Sequence, residues 1–163
     1  MKNFPPLKVF IDTEFTDFLE PDLISLGMAA ESGEEFYGEV PYAHYKCSEF
    51  VKEVVLELLG KIPHTYYNSH YELARAIIQW LEIVRQSDQM VEICVDAQTD
   101  WDLFSHALDN RVPTWARLRH IGYSNVNELL RYEYHAKNGL PEHHALYDAC
   151  ANRYAFREPV KAN

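Results

Sequence analysis

Two acidic residues two positions apart, Asp12 and Glu14, are the first in the chain whose types and spacing could do chemistry. They follow an apolar run at residues 7–11, which is typical of a buried strand. In a strand, alternate residues project from the same face, so both carboxylates should point to one side. Carboxylates this close repel each other unless a cation lies between them, and hard oxygen ligands suit Mg²⁺ or Mn²⁺ rather than zinc. Alone, the pair is weak evidence, because a solvated strand end with acidic residues explains it better.

A second set of candidate residues lies near the other end of the chain, in the segment HHALYDA at residues 143–149. His143 and Asp148 are five positions apart at a predicted helix start, so they can address one site from different angles. Asp148 could bind a metal ion, and His143 could take a proton from water as a general base. The alternative is a helix start that is merely polar, with His144 exposed.

Three further acids, Asp96, Asp100 and Asp102, lie where a predicted strand ends and a predicted helix begins. Helix capping and compensation of the helix dipole explain some of this acidity but do not require all three residues. This segment is therefore a third candidate for the chemistry.

The hydrophobic pattern predicts the elements that position these residues. Apolar or alternating runs predict strands, and apolar residues at helical spacing between capping residues predict helices. The predicted strands are residues 7–11, 23–30, 35–40 and 90–95, with a hairpin turn at Gly33; the predicted helices are residues 49–59 (capped by Ser48 and Gly60), 70–85 (capped by Asn68 or Ser69), 100–108, 125–137 and 143–156. The connection around Pro113 to Gly122 is left unassigned. This order predicts an α/β fold, in which a mixed sheet with an antiparallel three-stranded meander is flanked by helices.

Length and composition favour a single globular domain over residues 1–163, because 47% of the residues are hydrophobic. The first residues lack the apolar run of a signal peptide, and no stretch approaches the roughly 20 apolar residues that span a bilayer. The three cysteines form no CxxC pair. We therefore expect a cytoplasmic protein that does not bind membranes, with a frayed tail at about residues 157–163.

The motifs at the two ends of the chain resemble those of the DEDDh 3′→5′ exonucleases, which have a ribonuclease-H-like fold. Residues 12–14 match the first family motif, D-x-E, and residues 143–149 match the third, H-x-A-L-x-D-A, residue for residue. The opening segments, residues 10–15 and 23–27, look most like the small bacterial branch that includes ribonuclease AS.

The second family motif is matched more loosely. Asp100 is favoured over Asp102, because Asp96-Ala97 then falls where the family has Asn-Ala. Thr99 replaces the usual aromatic residue, which leaves the choice between the two acids open.

The resemblance implies a role for each matched residue. Asp12 would bridge two ions, Mg²⁺ or Mn²⁺, in a two-metal in-line displacement. Glu14 and Asp148 would complete the first ion site, Asp100 would support the second, and His143 would activate the attacking water.

Two neighbours of these acids are candidates for substrate binding. Phe15 could stack on the terminal base, although a place in the core explains it almost as well. The backbone of Thr13 could contact the terminal sugar, by resemblance only.

The implied activity is removal of nucleotides from the 3′ end of single-stranded nucleic acid, RNA rather than DNA, with release of nucleoside 5′-monophosphates by a homodimer. The net charge of −10 argues against a protein that wraps the backbone of nucleic acid, but an enzyme that binds phosphate through metal ions needs acids. The alternatives are the same reaction on single-stranded DNA and a catalytically silent ribonuclease-H-like module that binds nucleic acid or a partner protein.

A basic stretch stands out in this acidic chain. Its members could follow backbone phosphates or could pair with surplus acids; they are Arg111, Arg117, Arg119 and His120.

Overall fold

Five strands form one mixed sheet in the computed structural model, which describes residues 4–159. The strands are β1 (Leu7–Phe15), β2 (Leu23–Ala30), β3 (Glu35–Glu39), β4 (Val91–Val95) and β5 (Ala116–His120). Their order in the sheet is β3-β2-β1-β4-β5; β1, β2 and β3 pair antiparallel, whereas β4 is parallel to both β1 and β5. Gly33, in the turn between β2 and β3, has a φ of 115°, which glycine adopts without strain. The predicted meander, extended by parallel strands, is confirmed.

Within residues 4–159, four α-helices cover the two faces of the sheet. They are α1 (His70–Val84), α2 (Gln98–Ala107), α3 (Glu128–Asn138) and α4 (Ala145–Ala155). Val9 and Ile11 of β1 pack with apolar residues of α1 and α2, whereas Phe10 packs with Ala155 of α4. Side chains alternate along a strand, so the Asp12 side chain points to the same face as Phe10, the face covered by α4. The Thr13 side chain points to the same face as Ile11, the face covered by α1 and α2.

Three predicted helix starts are displaced. The second α-helix was predicted from residue 100, but it begins at Gln98. The third α-helix was predicted from residue 125, but it begins after Asn127, whose side chain accepts hydrogen bonds from two backbone N–H groups of the first turn. The last helix was predicted from residue 143, but His143 has a φ of 62° and the helix begins only at Ala145. The first α-helix follows Ser69 as predicted, since the Ser69 side chain accepts from the backbone N–H of Glu72.

The predicted regular helix at residues 49–59 is wrong in its winding. Ser48 does accept from the N–H of Val51, but Val51–Val55 form a π-helical turn and Leu56–Leu58 a 3₁₀ turn. Val51 and Val55 pack on Ile24 of β2 in a small separate cluster. The apolar spacing does not distinguish this winding from a regular α-helix, because residues four positions apart share one face in both.

The unassigned connection contains β5. Its Arg117 and Arg119 point to one side and pair with Glu92 of β4, at 2.7 and 3.0 Å. A strand with so few apolar residues at the edge of a sheet has no strong hydrophobic signal.

The end of the described chain is held by contacts. The N–H of Arg157 donates to the carbonyl oxygen of Asn125, and Glu158 pairs with Arg119 and Lys8. Residues 160–163 of the predicted frayed tail lie outside the described residues. Of the helices described, none has the length and hydrophobicity needed to cross a membrane.

Candidate active site

Five carboxylates gather in two groups that share Asp12. We call Asp12, Glu14 and Asp148 the first group, and Asp12, Asp96 and Asp100 the second group. Within each group, one oxygen from every carboxylate lies within 4.8 Å of the others. The structure therefore brings together the four predicted metal ligands and adds Asp96.

The first group depends on how closely α4 approaches the sheet. Gly27 of β2 lies directly opposite Asp12 in the β1–β2 ladder. A Cβ atom on Gly27 would lie 2.4 Å from the backbone carbon and oxygen of Ala145, the first residue of α4. Only glycine permits this contact, which brings Asp148, in the first turn of α4, next to the strand acids.

Both oxygens of Asp148 are held by hydrogen-bonding groups. The backbone N–H of His143 donates to Oδ2 at 3.0 Å, and Nε2 of His135 lies 3.1 Å from Oδ1. The other ring nitrogen of His135 is 3.3 Å from the carbonyl oxygen of Leu140, and the imidazole is buried. The left-handed backbone of His143 turns its N–H towards the carboxylate.

The second group contains Asp100, which is the most deeply buried of the five acids. Asp100 is 4% exposed, and its Oδ1 accepts from both the N–H and the hydroxyl of Thr13, at 3.1 and 2.6 Å. Asp102 is exposed, accepts from the Gln98 side chain at 2.8 Å and lines a different groove. The geometry therefore favours Asp100, and the donors of Thr13 are engaged by that carboxylate. The predicted contact between the Thr13 backbone and the terminal sugar stays a prediction.

Asp96 is paired with a cation from α3. The Nη1 atom of Arg131 lies 3.3 Å from Oδ2 of Asp96 and 3.2 Å from Oε1 of Glu128. Arg131 and His135 are four positions apart and so share one face of α3. One helix face therefore contacts both groups of acids, through Asp96 and through Asp148.

Burial and mutual repulsion raise the pKa values of these acids. Burial, then repulsion from Asp100 and Asp148, raises the pKa of Asp12 well above its usual range. Burial and repulsion raise the pKa of Glu14 to about 8. Burial also raises the pKa of Asp100 to about 7 and that of Asp148 to about 6, partly offset by Thr13 and His143 respectively. Buried acids whose ionisation is made unfavourable in this way are the donor set that a hard divalent cation would stabilise.

An open cleft of about 500 Å³ lies over the acids. Phe15, Phe18 and Phe50 line it together with His143. The ring of Phe15 packs edge-on against Phe18 with centroids 5.1 Å apart, and Phe50 packs edge-on against His143 at 5.0 Å. Phe18 is 85% exposed, whereas Phe15 is half-buried and also packs on the core. Phe15 thus both lines the cleft and packs on the core, the two positions that were considered for it from the sequence.

The structure places other sequence candidates elsewhere. Arg117 and Arg119 are paired with acids on the sheet edge, and neither lines the cleft. His144 is buried between the rings of Tyr37 and Tyr147, contrary to the alternative in which it is exposed, and burial lowers its pKa to about 4.

Three residues at this site, His135, Arg131 and Asp96, were not assigned to it from sequence. The two α3 residues carry no motif, because their partners lie 13 and 35 positions away in the chain. Asp96 did have a signal, since it stands where the resembling family has Asn.

Comparison with known proteins yields structural likeness alone. No family model and no curated protein matches the sequence. The chain is similar to the solved nuclease domain of 3′hExo, a DEDDh family member, bound to rAMP: the TM-score is 0.54 and the identity 13%, over 96% of this chain and 98% of that chain.

Two further solved structures are similar to a comparable degree. A 3′-exonuclease in 3′-end specific recognition of histone mRNA stem-loop has a TM-score of 0.56 and 11% identity, over 93% of this chain and 62% of that chain. A full-length 3′-exonuclease has a TM-score of 0.54 and 12% identity, over 93% of this chain and 80% of that chain. The protein therefore has the ribonuclease-H-like fold of these nucleases, as predicted.

Proposed function

We propose that this protein is a metal-dependent 3′→5′ exonuclease of the DEDDh type, acting on single-stranded RNA. The observation that carries the proposal is the pair of carboxylate groups that share Asp12 at the base of an open cleft, with His143 beside them. Two groups sharing one carboxylate are what a two-metal site requires, and the fold is that of known 3′-exonucleases.

Divalent ions bound at the two groups would lower the pKa of a bound water and stabilise charge on the phosphate and the leaving oxygen. Asp12 would hold both ions, Glu14 and Asp148 would complete the first ligand set, and Asp100 the second. His143 accepts the proton of the attacking water, whose oxygen forms a new bond to phosphorus. The bond from phosphorus to the 3′ oxygen breaks, and that oxygen takes a proton from solvent. A nucleoside 5′-monophosphate is released, and the shortened strand ends in a 3′-hydroxyl.

The cleft supports an unpaired strand as substrate. The exposed ring of Phe18 and the half-buried ring of Phe15 offer stacking surfaces to splayed bases, and stacking typically contributes about 1–3 kcal/mol per base. RNA is preferred in this proposal because two of the similar nucleases are described with rAMP and with a histone mRNA stem-loop. Activity on single-stranded DNA is the alternative. We also propose that the protein resembles ribonuclease AS, forms a homodimer and is located in the cytoplasm. In this proposal the backbone of Thr13 contacts the terminal sugar.

A catalytically silent binding module is the third function considered. It is disfavoured because every acid required by the motifs is present and gathered in one place. A site that had lost its chemistry would have no reason to keep buried carboxylates in mutual repulsion.

The test is a time course with 5′-labelled single-stranded RNA and a DNA of the same sequence, in Mn²⁺, Mg²⁺ or EDTA. The wild-type protein should shorten the strand from its 3′ end only with metal, and RNA should be cut faster than DNA. Asp12→Ala should show no shortening. Shortening that persists in EDTA or in Asp12→Ala would contradict the proposed site, and no shortening of either strand would favour the binding module.

A further inference from the structure

The cleft contains an excess of negative charge. Six of the residues that line it are acids: Asp12, Glu14, Asp17, Asp96, Asp100 and Asp148. Two divalent ions would carry four positive charges against these six carboxylates, so a nucleic-acid phosphate would still meet net repulsion if all were ionised. Arg131 is the only lysine or arginine among the lining residues within the described part of the chain.

The guanidinium of Arg131 has donors to spare. Both of its ion pairs, with Asp96 and with Glu128, use the Nη1 atom. Among residues 4–159, no group accepts a hydrogen bond from its Nε or Nη2. An arginine side chain offers a planar set of donors that matches two phosphate oxygens at once, which a single point charge does not.

The position of Arg131 relates it to the second group. Asp96, its partner, lies within 4.8 Å of carboxylate oxygens of Asp12 and Asp100. The arginine is held in place by its helix, because His135 on the same face of α3 contacts Asp148 and Asn127 caps the helix start. A phosphate held at the second group would therefore lie beside this side chain.

From these contacts we propose that Arg131 is a substrate-binding residue that binds a phosphate of the terminal nucleotide. Asp96 and Glu128 keep the guanidinium at the cleft when no substrate is bound. The inference rests on the proposed exonuclease function and adds to it a direct protein contact with the phosphate, alongside the metal ions.

The experiment compares binding of adenosine 5′-monophosphate and of adenosine to the Mn²⁺-loaded protein by calorimetry. Arg131→Gln should bind the monophosphate about tenfold more weakly than wild type, with adenosine binding unchanged, because a charged hydrogen bond to the phosphate is lost. Arg131→Lys should lie between the two. The matched control is Arg75→Gln, which removes the same charge from an exposed residue of α1 that does not line the cleft.

Steady-state hydrolysis provides a second measurement. Arg131→Gln should raise KM for the oligonucleotide about tenfold and change kcat less than about threefold, since a binding contact is removed. Equal monophosphate affinity in Arg131→Gln and wild type would overturn the inference, as would an equal loss for adenosine, which indicates a structural role. In either case a wild-type protein that still shortens the strand leaves the proposed function intact. A wild-type protein that neither shortens a strand nor binds Mn²⁺ would overturn both.

Discussion

The two groups of acids differ in how the chain holds them. In the first group, Asp148 comes from a distant helix, and both of its oxygens are held by hydrogen-bonding groups, the His143 backbone and the His135 ring. In the second group, Asp100 and Asp96 come from one short segment; Thr13 holds the former, and a full positive charge on Arg131 pairs with the latter. Asp12 alone belongs to both.

The first group is therefore a tightly ordered site, whereas the second group already contains a cation, the guanidinium of Arg131. Both oxygens of Asp148 are oriented, and neither faces a permanently charged side chain, so the first group should bind its ion more tightly. Part of the charge of Asp96 is offset by Arg131, so the second group should bind its ion less tightly and depend more on substrate.

The largest effect is expected at the residue that the groups share. Asp12→Asn should weaken binding of both ions and lower the exonuclease rate about a thousandfold, because the metal contribution to the barrier amounts to several kcal/mol. Asp148→Asn should weaken only one ion. Calorimetric titration with Mn²⁺ counts the ions, and labelled RNA gives the rate. Asp17→Asn is the control, since Asp17 lines the cleft but belongs to neither group; an equal loss in this variant would abolish the distinction.

A smaller effect is expected when the support of the first group is removed. His135→Gln should reduce Mn²⁺ affinity or exonuclease rate by about 10–100-fold, which is the usual cost of losing a residue that orients a metal ligand. The tighter ion should be the one affected. His120→Gln, an exposed histidine on β5, should match wild type. If His135→Gln binds both ions and turns over as wild type does, the contact between His135 and Asp148 is not needed to order the first group.

In the second group, the added carboxylate should contribute less than the others. Asp96→Asn keeps the size of the side chain and one oxygen, and leaves Asp12 and Asp100 in place, so we expect about a tenfold weaker second ion. Asp100→Asn should cost more, because Asp100 is held by the neutral Thr13 whereas the charge of Asp96 is already paired with Arg131. Titration of each variant with Mn²⁺ ranks them; equal losses would show that Asp96 is a full ligand.

The smallest effect concerns stability and pH in the metal-free protein. The folded-state pKa values of Glu14 and Asp100, about 8 and about 7, lie above their ordinary values, so the folded state holds protons that the unfolded chain releases. Stability from this source is fully present at pH below about 4 and is lost as pH rises towards 8. The Tm in EDTA should therefore be about 5 °C lower at pH 8 than at pH 5.5.

Two comparisons isolate the acids as the cause of this pH dependence. Mn²⁺ should raise the Tm more at pH 8 than at pH 5.5, because ion binding displaces the protons. Asp12→Asn in EDTA should show a smaller pH effect than wild type, since one charge has been removed from both groups. A pH effect of the same size in this variant would assign it to other parts of the protein.

The sequence predicted the framework because its signals are local. The alternation and apolar runs that predict β1 to β3 depend on neighbouring residues, and so does the Ser69 cap of α1. The D-x-E spacing was also enough to place Asp12 and Glu14 on one face. The strand continues through both acids instead of ending before them, because β2 pairs with β1 as far as Phe15.

What could not be predicted depends on contacts between distant segments. β5 takes its place through pairing with β4 and through its arginines with Glu92, so its own pattern carries little signal. His135 reaches Asp148 only because α3 packs against α4. The π-helical turn at Val51–Val55 could not be predicted either, because its apolar spacing fits a regular α-helix equally well.

The contact between Gly27 and the start of α4 sets a dimension of the site in backbone atoms. Because no side chain separates the strand from the helix there, backbone contact and not the size of a core side chain sets the spacing of Asp12 and Asp148. Substitutions that shorten core side chains elsewhere should therefore lower stability more than they change this spacing. A single added methyl group at Gly27, a position that does not line the cleft, would widen the gap between strand and helix and separate the acids.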